Sequence, residues 1–161
     1  MNNRTIVASL LSGLVLGLAG LALAGLEPTP FHQLINELDS VENVLDAVDD
    51  QLKEVLATLS EGIKPNALVG KLNAMADKLW NQNDRVVDVI SYPPDPCHPP
   101  DPCHHEEEFR AALGKVGNKA SSIAERAGVP PDPCTPEVEE ALAAVGSAAL
   151  AIVNTVWPMP S

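Results

Sequence analysis

The residues best suited to chemistry cluster in one stretch, 92–108, which reads YPPDPCHPPDPCHHEEE. Cys and His side chains bind Zn²⁺, Cu or Ni²⁺, and cysteines in an oxidising compartment form disulfides. The candidate metal ligands are Cys97, His98, Cys103, His104 and His105. The candidate disulfide residues are Cys97, Cys103 and Cys134, the last of which ends a further PPDPC motif at 130–134.

The proline content of this stretch restricts both kinds of site. A proline-rich segment favours polyproline II, in which Cys97 and Cys103 would stand about 19 Å apart. A disulfide needs Cα atoms within about 7 Å, and C-x5-C-H-H matches no standard zinc module. An internal disulfide or a single-chain metal site therefore requires the segment to turn sharply, whereas an extended segment presents both sulfurs to a partner. As a third alternative, the segment is only a semi-rigid spacer.

The N-terminal segment predicts the compartment. Arg4 precedes an uncharged run of Leu, Val, Ala and Gly, and Ala22-Leu23-Ala24 forms an A-x-A cleavage site. We interpret residues 1–24 as a signal peptide, with an uncleaved membrane anchor as the alternative, because the apolar run is long enough to span a bilayer. Both interpretations place the rest of the chain in the periplasm, at the cell surface or outside the cell. The odd number of cysteines then predicts an intermolecular disulfide or a free thiol.

The charge balance excludes several partners. Residues 25–161 carry nine Lys and Arg against 22 Asp and Glu, a net charge of −13. Such an acidic domain has no electrostatic reason to bind nucleic acid or anionic lipid. We therefore expect contact with a membrane only if the N-terminal segment is retained as an anchor.

The hydrophobic periodicity predicts an all-α protein, an up-and-down four-helix bundle, with helices near 29–61, 65–91, 105–127 and 136–157. In the first helix, apolar residues alternate in steps of four and three, the pattern of a coiled coil. They are Leu34, Leu38, Val41, Leu45, Val48, Leu52, Val55 and Leu59. Proline-rich loops at 92–104 and 129–135 separate the later helices and lie at opposite ends of the predicted bundle.

The last two helices resemble each other. Residues 112–123 and 141–152 share the pattern A-L-x-x-V-G-x-x-A-x-x-I, and we expect Gly117 and Gly146 to permit close packing of the two helices. The fourth helix has no charged residue from Ala141 to Trp157, which predicts a central buried helix or one that self-association buries.

No catalytic motif accompanies these features, and we expect no enzymatic activity. The sequence contains no nucleophile elbow, phosphate-binding loop or H-E-x-x-H motif. The leading hypothesis is an exported structural or interaction protein that self-associates or docks a protein partner through its helices and its Cys-bearing loops. The alternative is an extracytoplasmic metal-binding protein that holds Zn, Cu or Ni in loop 95–105.

Overall fold

Four helices make up almost all of the part of the chain that the structure, a computed structural model, describes: residues 30–62, 65–91 and 104–158. They are α1 (Pro30–Ser60), α2 (Pro65–Ser91), α3 (His104–Ala127) and α4 (Pro136–Val156). No strand occurs in these ranges. The all-α prediction is confirmed, and the predicted helix ends agree with the observed ones to within a residue. The predicted signal peptide, 1–24, lies outside the described residues.

Proline and glycine define the helix boundaries. The helices α1, α2 and α4 each begin at a proline, whose fixed φ suits the first turn and whose missing N–H is not needed there. Gly62 follows α1 with φ +76°, and its N–H donates to the Leu59 carbonyl at 3.1 Å. Thr135 is the extended N-cap of α4, although its hydroxyl makes no capping hydrogen bond.

The heptad residues of α1 lie inside this chain. Six consecutive members of the pattern are buried: Leu38, Val41, Leu45, Val48, Leu52 and Val55. They pack with buried residues of the other three helices in one core. The coiled-coil pattern therefore describes packing within the bundle, and this seam is not an exposed surface.

The core differs from the predicted one at the end of α2. The apolar spacing of this helix predicts a buried face, interrupted at Gln82 or Asn83, that consists of Leu68, Leu72, Met75, Leu79, Val86 and Ile90. Ile90 is instead 41% exposed, and its neighbour Val89 is buried. Gln82 is also buried, and its Oε1 accepts a hydrogen bond from Arg85 at 3.2 Å.

Ion pairs show that α1 and α3 are parallel neighbours. Glu42, Asp46 and Asp49 of α1 pair in turn with Lys115, Lys119 and Arg126 of α3. Residue numbers rise together along both helices, so the two helices run in the same direction.

The remaining contacts complete a ring of helices. On the other flank of α1, Glu37 pairs with Arg85 of α2, and α4 contacts both α2 and α3. Gly117 lies beside Trp157 and Gly146 beside Ala127, so α4 runs antiparallel to α3. The order round the ring is therefore α1, α2, α4, α3, with α2 diagonally opposite α3. Helices that follow one another along the chain are antiparallel, whereas the ring neighbours α1 and α3, and likewise α2 and α4, are parallel.

Candidate functional site

An apolar groove opens at the end of the bundle where α4 stops first. Trp157, just after α4, lies beside Gly117, thirteen residues after the first residue of α3. The part of α3 that precedes Gly117 is about 20 Å long at 1.5 Å per residue, and it extends past the end of α4. The space left by α4, which we call the end groove, has a volume of about 330 Å³.

Apolar side chains from all four helices form the end groove. The two phenylalanines of the chain, Phe31 and Phe109, meet there edge to face with ring centroids 6.0 Å apart. Such aromatic pairs stabilise by about 0.5–1.5 kcal/mol beyond their buried area. The other apolar residues of the lining are Leu34, Ile90, Leu113, Val156 and Pro158.

Few polar groups reach the end groove. Glu106 and Arg110 form an ion pair on its edge, one turn apart on α3. Thr155 donates its hydroxyl to Asn83 Oδ1 at 2.8 Å and to the Ala151 carbonyl at 2.9 Å. These polar side chains satisfy one another, so the groove suits an apolar occupant better than a charged substrate.

The end groove lies where the cysteine-bearing stretch joins the bundle. The chain leaves α2 after Ser91, next to Ile90, and enters α3 at His104, two residues before Glu106. Cys97, His98 and Cys103 lie outside the described residues, as do the side chains of His104 and His105. Both histidines belong to the first turn of α3. Within the described ranges, no three His, Cys, Asp or Glu side chains form a possible metal-binding group.

Cys134 occupies a different part of the fold. It immediately precedes the N-cap of α4, is half-buried and packs against the core. Burial raises the pKa of its thiol, the Glu139 carboxylate raises it further, and a backbone hydrogen bond from Thr135 offsets part of this effect. A thiol with a raised pKa is a poor nucleophile, because the thiolate is the reactive form. The length of α3 separates Cys134 from the start of α3, roughly 36 Å at 1.5 Å per residue.

A cluster of charged side chains links α1 to α3. Burial alone would raise the pKa of Asp49, but hydrogen bonds from Lys53 and Arg126 outweigh it and hold the pKa below its usual range. The hydrogen bond from Lys119 to Asp46 raises the pKa of the lysine. These groups join α1 to α3, and the lowered pKa of Asp49 and the raised pKa of Lys119 each favour the charged form that pairs across the two helices.

The outer surface of α4 was only partly anticipated. The helix contacts α2 and α3, but Leu150 is 50% exposed, so α4 is not the central buried helix that its composition predicts. By length and composition, α4 is the one helix in the described part of the chain that could cross a membrane. A helix on the core of a soluble bundle meets the same criteria.

The end groove was not predicted from the sequence. Its position depends on where α4 stops relative to α3, and that offset follows from packing at Gly117 and Gly146. The one sequence feature that could have indicated the groove is Ile90, an apolar residue in the last turn of α2, past the level at which α4 ends.

No protein-family profile, curated protein or solved structure matches this chain. The fold class, an all-α bundle of four helices, therefore stands on the contacts described above.

Proposed function

We propose that this is an exported structural or interaction protein, in which the bundle docks a partner at the end groove and the neighbouring cysteines link to it. The observation that carries the proposal is the apolar end groove itself, open at the end of the bundle where α2 ends at Ser91 and α3 begins at His104, the two ends of the connection whose sequence contains Cys97 and Cys103.

The described residues support a docking role in two ways. The 25 buried apolar residues of the core lie outside the groove, and groove residues that pack against this core, such as Phe109 and Leu113, remain only partly buried. Its lining is aromatic and aliphatic, which is typical of the anchor pockets that dominate binding at protein interfaces. Docking there would hold a partner near the ends of the connection that contains Cys97 and Cys103. A thiolate of that connection that attacks a disulfide of the partner breaks its S–S bond, forms a mixed disulfide and releases the partner's other sulfur as a thiol, and docking raises the effective concentration for this exchange.

The test is non-reducing electrophoresis of the protein isolated from its exporting cell. We expect a disulfide-linked species that reductant dissolves, that Cys97→Ser with Cys103→Ser abolishes, and that Cys134→Ser leaves in place. Ile90→Glu, on the edge of the end groove, should lower the yield of this species. Val129→Glu, at a residue 73% exposed outside the groove, is the matched control and should not.

A single species unchanged by reductant would remove the cross-linking part of the proposal. Equal yields from Ile90→Glu and Val129→Glu would show that the groove does not guide the reaction. Circular dichroism of each variant would confirm that the helices are intact.

The metal-binding alternative is favoured by one observation, the presence of two Cys and three His within nine residues. Metal ligation requires thiolates and neutral imidazoles, so affinity should fall as the pH drops below about 6.5. Calorimetric titration of the reduced protein with Zn²⁺, Cu and Ni²⁺ tests it. Stoichiometric binding that disappears in Cys97→Ser, Cys103→Ser, His104→Ala would support the alternative, whereas no binding would reject it.

A further inference from the structure

The exposed side of α4 carries glutamates only in its first five residues, at Glu137, Glu139 and Glu140, and no charge after them. After Glu140, the exposed residues of α4 and its C-cap are Ala143, Ser147, Leu150, Asn154 and Trp157, which we call the outer strip. Leu150 is 50% exposed and Trp157 is 45% exposed. The outer strip thus combines two large apolar side chains with three small or amide-bearing ones.

The outer strip is unlike the exposed side of every other helix in the described part of the chain. Exposed acidic residues lie on each of them, for example Glu54 on α1, Asp84 on α2 and Glu107 on α3. A solvated helix face normally carries charged and polar residues. In a protein with a net charge of −12, an uncharged helix face is a deviation that solubility alone does not explain.

The spacing of the outer strip is that of a helix pair. Its residues recur at intervals of four, three, four and three, the heptad spacing of a seam between two helices. The heptad residues of α1 are buried within this chain, whereas those of the outer strip are exposed. Within the described residues this second seam is only partly covered: the indole of Trp157 at its end contacts Gly117 of α3, and Leu150 at its centre is exposed.

The order of side chains along the outer strip is self-complementary about Leu150. In an antiparallel pair centred there, the small Ala143 faces the large Trp157 of the partner copy, and Ser147 lies close to Asn154 of the partner copy. The two Leu150 side chains meet at the twofold axis. Large residues then oppose small ones, and an Asn within a seam fixes its register. A twofold interface requires this kind of self-complementarity.

We propose that the outer strip of α4 is a homodimer interface, on which α4 of a second copy packs antiparallel with Leu150 at the axis. This inference deepens the proposed function, because it names a second copy of the chain as one partner. The charge of the chain favours a second copy as the partner on this surface. Two strongly acidic chains repel each other, and the repulsion is weakest when the surfaces in contact carry no charge. A basic partner would find no carboxylate in the outer strip to pair with.

The area of the outer strip determines how tightly we expect two copies to associate. One helix face per copy lies at or below the roughly 1,200 Å² of a standard stable interface. Trp80 and Val87 enlarge the apolar surface, since both are exposed on the flank of α2 next to Asn83, which contacts α4. We therefore expect a concentration-dependent equilibrium between monomer and dimer.

The test separates this interface from disulfide linkage. The full-length coding sequence is expressed so that any processing of residues 1–24 takes place, with Cys97, Cys103 and Cys134 replaced by Ser. In sedimentation equilibrium, the mass should rise towards twice that of one chain with increasing concentration. Leu150→Glu and Leu150→Lys should each remain monomeric because like charges meet at the axis, and an equimolar mixture of the two should dimerise. Val129→Glu is the control and should dimerise as the parent does.

A cysteine at the axis tests the register. In the same background, Leu150→Cys should form a disulfide-linked dimer on mild oxidation, whereas Ser147→Cys, which lies off the axis, should form much less. Equal cross-linking at both positions would overturn the antiparallel register.

Two results would overturn the proposal outright. One is a monomer at every concentration together with co-sedimentation on phosphatidylcholine vesicles that Leu150→Glu abolishes, which would assign the outer strip to a lipid surface. The other is a dimer that both Leu150 variants leave intact. Neither result bears on the disulfide-linked species of the proposed function, which depends on Cys97 and Cys103.

Discussion

Replacing Gly117 with alanine should destabilise the protein, although alanine is the better helix former. A Cβ at Gly117 would lie 2.6 Å from the indole ring of Trp157, closer than side chains in proteins approach. Gly114, one turn earlier on the same helix, has no atom within 4 Å of its would-be Cβ and is the matched control.

The magnitude follows from two opposing terms. Glycine within a helix is about 1 kcal/mol less favourable than alanine, so Gly114→Ala should stabilise the protein by about that amount. Gly117→Ala gains the same term but must displace Trp157, whose indole is roughly half covered. A covered area of about 100 Å² at ~25 cal/mol/Å² corresponds to about 2.5 kcal/mol, an upper bound that supposes the ring is fully displaced. The net expectation is a destabilisation of up to about 1.5 kcal/mol.

Urea denaturation of both variants, with and without Trp157→Ala, measures the two terms separately. In the Trp157→Ala background, Gly117→Ala should become stabilising, because the ring it displaces is gone. The tryptophan emission of Gly117→Ala should also shift to longer wavelength as the ring moves into water. If Gly117→Ala were as stabilising as Gly114→Ala in the parent background, the packing of Trp157 on Gly117 would be refuted.

Two further predictions follow from pKa values. The lowered pKa of Asp49 means that its pairs with Lys53 and Arg126 stabilise the fold above the ordinary carboxyl range and are lost as the pH falls through the folded pKa. Asp49→Asn should therefore cost about 1 kcal/mol in urea denaturation near neutral pH and much less near pH 3; an equal cost at both pH values would contradict this. The raised pKa of Cys134 predicts that iodoacetamide alkylates it more slowly in the folded protein than in urea at about pH 8, and that Glu139→Gln accelerates the folded reaction. Equal alkylation rates of Cys134 in the folded and the unfolded protein would contradict a raised pKa of its thiol.

The helices could be predicted from the sequence because local signals agree with the periodicity. Pro65 and Pro136 begin helices where the apolar pattern begins, and Gly62 adopts the positive φ that terminates one. The sequence predicts that Gly117 lets the two helices pack closely, whereas the atoms that lie against Gly117 belong to the ring of Trp157, just after α4. Gly146 has only ordinary contact with Ala127, 3.6 Å from a would-be Cβ, so the sequence repeat does not give the two glycines the same role.

The candidate site was less predictable, because it depends on offsets between helices. Periodicity assigns a residue to a face but does not say whether a neighbouring helix reaches that level of the bundle. Ile90 continues the apolar face of α2, yet it is exposed because α4 ends before reaching it. The same limit applies to Leu150, whose heptad spacing is visible in the sequence but whose exposure depends on which side of α4 faces the core.

The order of the helices round the ring follows from the positions of charged residues, which the apolar periodicity does not describe. Acidic residues on one flank of α1 and basic residues on one flank of α3 match only when the two helices are parallel neighbours. Each ion pair is partly exposed and weak by itself. If α3 were antiparallel or diagonal to α1, however, all three pairs would be lost together. Placing α3 beside α1 sets it diagonally opposite α2, at about 14 Å for neighbours some 10 Å apart. The connection from Ser91 to His104 therefore joins diagonal helices, whereas the other two connections join adjacent helices. Both ends of that connection lie at the end of the bundle that holds the end groove, and their diagonal placement is a consequence of the ion pairs that place α3 next to α1.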